Sequence, residues 1–270
     1  MCIKFRTTII IWITILFSTF YIYPSETIRL KFPIVDIHSD YYYKILKTAL
    51  TNAGFQTVIE KIDLPSQRAK AYLESGDIDI IFMIRNDERD SKYVPIPIGL
   101  TNGLIASRVL FVPVGDSHIY ENVTSLEDFQ NLDKIVGMGA QWFDVKVWEA
   151  NNLPVYKHSG EYTLLFGMVA QKNRGLDYYS TGFNEALDEL ERFGSLGLEI
   201  EPGLMLIYER DYIFYMSTDA AARYKTQIDS ALKLADESGI IDQMVREYWA
   251  EDFHILDYDG RRKIYLETPR

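Results

Sequence analysis

Two arginines, Arg85 and Arg89, follow directly on the apolar run Ile78-Asp79-Ile80-Ile81-Phe82-Met83-Ile84. An apolar run of that length reads as a strand buried on both faces. In open α/β sheets the carboxyl ends of the strands form the crevice where ligands sit. A guanidinium delivered there can grip a carboxylate or phosphate through charge-assisted hydrogen bonds. Only one of the two arginines need face that crevice, and the sequence leaves open which. A second loop, Gly139-Ala140-Gln141-Trp142, follows the short apolar stretch Ile135-Val136-Gly137-Met138 and precedes a helix carrying Val145 and Trp148. Backbone amides at a helix start attract anions, and Trp142 offers a flat ring face to an apolar group or a cation. Gln141 stands beside it. A third loop, Ser180-Thr181-Gly182-Phe183-Asn184-Glu185, ends in a carboxylate. Glu185 there either meets a donor or cation, or sits near a helix start because the macrodipole favours an acid.

Other chemistries find no support in the residue spacing. The four histidines, His38, His118, His158 and His254, are scattered, and no His-x-x-x-His or Cys-x-x-Cys spacing occurs, so no metal site is expected. There is no supported Ser-His-Asp arrangement and no glycine-rich phosphate loop, so neither a cofactor nor an enzymatic activity is expected. A formal net charge of -11 argues against a nucleic-acid partner, which requires a clustered excess of Lys and Arg that the sequence does not show. With 270 residues and 47% hydrophobic content, the chain is long and apolar enough for two lobes with buried cores.

The elements that position these loops alternate along the chain. Ile28, Leu30 and Phe32 give a strand with one buried face, and Tyr42, Ile45, Leu46, Ala49 and Leu50 form one face of a helix ended by Gly54. Phe55 to Ile59 reads as a second strand, and Ser66 to Ser75 as a helix closed by Gly76. Strand, helix, strand, helix, strand implies parallel pairing. The series helix, Gly76-Asp77-Ile78-Asp79, apolar strand, Glu88-Arg89, then Tyr93-Val94-Pro95-Ile96-Pro97 resembles the bacterial extracellular solute-binding proteins, in particular the family that includes the polar amino-acid receptors of ABC transporters. Towards the end, a long helix from Asp219 to Glu237, Gly239, and a helix ending in Tyr248-Trp249 resemble the same family.

The resemblance implies an α/β fold of the two-lobe periplasmic binding type, with two crossing strands as hinge. Lobe 1 would comprise residues 26–113 and 212–270, and lobe 2 residues 114–211, with crossings near Pro113 to Asp116 and Tyr208 to Asp211. It implies a monomer that captures a small-molecule ligand and works with a membrane permease or a signalling protein. Arg89, or failing it Arg85, would clamp an anionic group, and the loop Asp36 to Tyr41 would supply Asp40 and Tyr41 as ligand contacts. Asp40 as a helix N-cap and Tyr41 as packing is the other reading of that pair. Trp142, Gln141 and Glu185 would serve the ligand from lobe 2. Amino-acid receptors of the family usually have hydroxyl residues where Ala140, Gln141 and Trp142 stand, and an aspartate where Thr181 or Gly182 stands. These departures imply an anionic ligand with an apolar or aromatic part instead of a standard α-amino acid. A sensory or accessory binding protein, or a dehydratase-type enzyme on the same fold, are the alternatives.

At the amino end, Lys4 and Arg6 precede an apolar run from Thr7 to about Phe20, and no acid occurs before Glu26. That is the pattern of a signal peptide over residues 1–25, with a run shorter than the roughly 20 residues that span a bilayer. Export to the periplasm is therefore expected. The single Cys2 lies inside this segment, so the exported chain would hold no disulfide.

Overall fold

A computed structural model of the chain describes residues 27–269, and the expected signal segment lies outside them. Among the described residues no helix is long and apolar enough to cross a membrane.

The first half of lobe 1 follows the expected alternation: β1 (Ile28–Ile34), α1 (Ser39–Asn52), β2 (Thr57–Asp63), α2 (Ser66–Ser75), β3 (Ile80–Ile84), α3 (Asp87–Lys92) and β4 (Val94–Ile96). Strands β1 and β2 pair in parallel, Leu30 opposite Ile59. Gly76 ends α2 at φ 77°, a left-handed conformation that glycine adopts at little cost. Strand β3 is buried on both faces. Its Ile80 and Phe82 join the main core with α1, whereas Ile81 and Met83 pack with Ala69 and Leu73 of α2.

The chain then crosses into β5 (Ser107–Pro113), α4 (Leu126–Asn131), β6 (Val136–Gly139), α5 (Phe143–Ala150), β7 (Val155–His158), α6 (Leu164–Ala170), β8 (Tyr178–Gly182), α7 (Ala186–Phe193), β9 (Leu198–Ile200) and β10 (Leu204–Ile207). It returns through β11 (Tyr212–Met216), α8 (Thr218–Glu237), α9 (Ile240–Tyr248) and α10 (Ala250–Ile255), and closes with β12 (Arg262–Tyr265). The second sheet runs β12-β10-β5-β8-β6-β7, with β9 beside β5. Strand β11 stands between β3 and β4, antiparallel to both. The second sheet is covered on both faces, by Phe166 of α6 with Phe111 and Tyr179 on one and by Trp148 of α5 with Tyr178 on the other.

Four features differ from the sequence reading. Strand β3 does not join the parallel β1–β2 pair expected of the alternating series but pairs antiparallel with β11. Strand β5 is fully buried at all seven positions and lies in the interior of the second sheet, so the first crossing precedes it, between Pro97 and Ala106, and not at Pro113 to Asp116. The reason is physical: an apolar run without alternation belongs where both faces are covered. The carboxyl end is not confined to lobe 1, because β12 pairs in parallel with β10 of the second sheet. Buried Arg261 anchors that return by donating to the carbonyls of Leu256, Glu201 and Leu204. Ser180, Thr181 and Gly182 are strand residues of β8, not loop residues.

The crossing between β10 and β11 falls at residues 208–211, and Asp211 ties it to the first crossing. Its carboxylate accepts from the backbone N–H of Thr101, Gly103 and Tyr212 and from the Thr101 hydroxyl. Gly99 permits this approach, since a Cβ there would lie 2.6 Å from Asp211 Oδ2.

Candidate ligand-binding cleft

A cavity of about 420 Å³ lies between the lobes. Lobe 1 lines it with Ile84, Asn86, Asp87, Glu88, Arg89 and Tyr212. The first crossing adds Ile105, and lobe 2 contributes Arg108 from β5, residues 141–144 and Lys146 around the start of α5, Tyr179 of β8, and Glu185.

Arg89 reaches the cavity from a short helix that the sequence reading treats as loop. The Asn86 side chain caps α3 by accepting from Arg89 N at 2.8 Å, which satisfies one of the helix's free donors. One guanidinium nitrogen donates to the Ile84 carbonyl. Arg89 has no ion-pair partner among the described residues, whereas Arg85 is paired with Asp90 at 2.9 Å and does not line the cavity. Arg85 is thus not brought to the cleft. Its guanidinium is engaged by the Asp90 carboxylate instead.

Trp142 and Gln141 line the opposite wall. Trp142 stands at the N-terminal boundary of α5, with its ring over Gly139, where a Cβ would come within 2.6 Å of the indole nitrogen. Tyr162 and Tyr179 approach the indole at 6.0 and 6.2 Å between ring centres. The indole therefore both packs within lobe 2 and presents surface to the cavity. Phe143, Tyr179 and Tyr212 extend the aromatic lining.

The floor holds a charged pair that the sequence reading missed. Arg108 Nη2 lies 3.2 Å from Asp144 Oδ1, with side-chain exposures of 5% and 6%. Arg108 also donates to the carbonyls of Ile105 and Ser180, and Tyr208 donates to Asp144 at 2.9 Å. Burial works against the charge of Arg108, but Asp144, Tyr208 and Glu185 hold its pKa above the ordinary arginine value. A buried pair satisfied to this degree is internally neutralised. The available signal was one charged residue inside the apolar stretch Leu104 to Val112.

Glu185 accepts from the Thr181 hydroxyl at 3.4 Å. Burial raises its pKa, with Arg108 and His38 opposing and Asp144 adding to the rise.

Asp40 and Tyr41 lie outside the cavity lining. Tyr41 is 1% exposed, its hydroxyl donates to the Leu100 carbonyl, and its ring packs on Trp249 at 4.4 Å. Asp40 is held at the surface by Lys61 at 2.6 Å and Lys44 at 2.9 Å, which lower its pKa. Nor is Asp40 the cap of α1: His38 stands at that boundary, and the Ser39 hydroxyl instead accepts from the backbone of Val35 and Asp36. The face of α1 that begins with Tyr41 is committed to the core.

No known family model matches the chain. No curated protein matches it either. Solved structures do. A probable amino-acid ABC transporter extracellular-binding protein from Bacillus subtilis is 14% identical, with a TM-score of 0.57 over 84% of this chain and 99% of the other. An amino-acid ABC transporter substrate-binding protein from Streptococcus pneumoniae, bound to L-arginine, is 18% identical, with a TM-score of 0.52 over 78% and 84%. A structure from work on glutathione import through the cystine ABC importer of Streptococcus mutans is 15% identical, with a TM-score of 0.53 over 84% and 95%. These likenesses show the fold, that of the two-lobe periplasmic binding proteins.

Proposed function

We propose that this chain, which has the two-lobe periplasmic binding fold, is an exported solute-binding protein that captures a small anionic ligand between its lobes. The observation that carries the reading is Arg89, a cleft-lining guanidinium without an acidic partner among the described residues, beside an arginine that has one. Arg108, the other cleft arginine, is already neutralised by Asp144. An anion that reaches Arg89 gains charge-assisted hydrogen bonds without first breaking an ion pair. Trp142, Phe143, Tyr179 and Tyr212 suit an apolar or aromatic body on that ligand. Gln141 adds an amide to the lobe-2 wall, and Glu185 a carboxyl group.

The reading needs no covalent step. A ligand that touches both walls favours the closed arrangement by its contacts there, and can shift the equilibrium only by that difference. The fold relatives that belong to ABC transporters support a transport role with a membrane permease, and the basic and apolar pattern of residues 1–25 supports export. A thermal-shift panel of aliphatic carboxylates, aromatic acids, short peptides and standard amino acids tests the ligand class. A ligand at a hundred times its dissociation constant adds about 2.7 kcal/mol to stability. Aromatic or apolar acids should raise the melting temperature. A response confined to glutamine, histidine or arginine contradicts the proposed class.

A further inference from the structure

Behind Glu185, one helical turn along, stands Glu189, and the two carboxylates share very few donors. Glu189 is 7% exposed and does not line the cleft. Its Oε1 accepts from the Tyr179 hydroxyl at 3.3 Å, whereas its Oε2 is buried and has no hydrogen-bond partner. Thr181, which donates to Glu185, has one hydroxyl proton to give. An ionised carboxylate seeks several donors, and a buried one left without them costs heavily. Two neighbouring acids cannot both ionise cheaply in such a place.

The charged surroundings do not remove the difficulty. Arg108 of β5 faces the pair, but Asp144 of α5 engages it at 3.2 Å. From lobe 1 come His38, which is bound to Asp188 at 3.2 Å, and the phenols of Tyr42 and Tyr212. Among the described residues no group of three or more His, Cys, Asp or Glu is placed to hold a metal ion.

We propose that Glu185 and Glu189 hold a proton between them at neutral pH, with Glu189 as a positioning residue that sets the charge Glu185 shows to the ligand. The consequence for specificity rests on the anion-binding reading above: with the proton in place, the lobe-2 wall tolerates a ligand oxygen that two bare carboxylates would repel. Burial, reinforced by Glu185, pushes the Glu189 carboxyl up to about 8. A raised folded-state pKa means that the native protein binds the proton more tightly than the unfolded chain. The associated stability is present below the ordinary carboxylate range and is lost as pH rises towards 8.

The test uses the ligand-free protein. Between pH 6 and pH 9 the wild-type melting temperature should fall by roughly 5 °C more than that of Glu189→Gln, which cannot lose the proton. Parallel curves overturn the proposal. If the variant does not fold, carboxyl ¹³C titration of the wild type decides between the same two outcomes. One Glu resonance pair titrating well above the ordinary range supports the shared proton, and all glutamates titrating normally refutes it. A melting temperature raised by Mg²⁺ or Ca²⁺ in the wild type but not in Glu189→Gln would also refute it, by showing a cation site. Because no ligand is present, failure here leaves the Arg89 reading intact, and failure of that reading leaves the proton pair intact.

Discussion

Arg85 and Arg89 stand one helical turn apart in the chain and differ in one partner. Asp90 takes Arg85, and Arg89 is left for the cleft. The sequence offered both arginines at a strand end but could not separate them, because the choice depends on α3, a turn too short to show apolar periodicity. Tyr41 illustrates the opposite limit. Its position in a strand-to-helix loop suggested exposure to ligand, but an aromatic at the first turn of an amphipathic helix can equally face the core, and here it does. Trp142 lines the cleft, as expected, and also packs over Gly139. Outside the expected signal the chain has three tryptophans, and of these Trp148 and Trp249 are buried. Ligand binding should therefore change tryptophan emission in the wild type, and the change should be largely absent in Trp142→Phe. An unchanged signal in that variant would place the ligand elsewhere.

Among the elements, lobe 1 was the more legible. Its helices bury a clear stripe, end at Gly54 and Gly76, and alternate with strands of five to seven residues. Lobe 2 was less so. Strands β7, β9 and β12 are three or four residues long and carry charged or partly exposed side chains, so their composition gives no period to read. Their pairing partners define them. The hinge was misplaced because an apolar run shows burial on both faces without showing which sheet supplies the burial. Asp211, invisible as a special residue in sequence, joins the two crossings through donors from Thr101, Gly103 and Tyr212. Asp211→Ala should leave those backbone donors without their acceptor and cost roughly 2–4 kcal/mol by urea unfolding. A loss under about 0.5 kcal/mol would show that water replaces the carboxylate and that the crossings are not fastened there.

For the whole molecule, the fold and the inter-lobe location of the cleft were legible from the order of elements, while the polar floor of Arg108, Asp144, Glu185 and Glu189 was not. Arg108 is far from the two glutamates in the chain and meets them only because β5 and β8 pair, Arg108 opposite Gly182. Around that floor the two walls present Arg89, which has no ion-pair partner among the described residues, together with Lys146, the acids Asp87 and Glu88, and an aromatic surface. On the proposed anion-binding reading, ligand capture depends on Arg89 more than on any other side chain. The most direct measurement is the dissociation constant of the tightest carboxylate from the thermal-shift panel for wild type, Arg89→Ala and Arg85→Ala, with the melting temperature of each ligand-free protein. A charge-assisted hydrogen bond in a dry site contributes about 1.5–3 kcal/mol, so Arg89→Ala should bind at least roughly tenfold more weakly while melting close to wild type. Arg85→Ala should bind normally. Normal binding by Arg89→Ala together with a large drop in melting temperature would make Arg89 a structural residue and contradict the account.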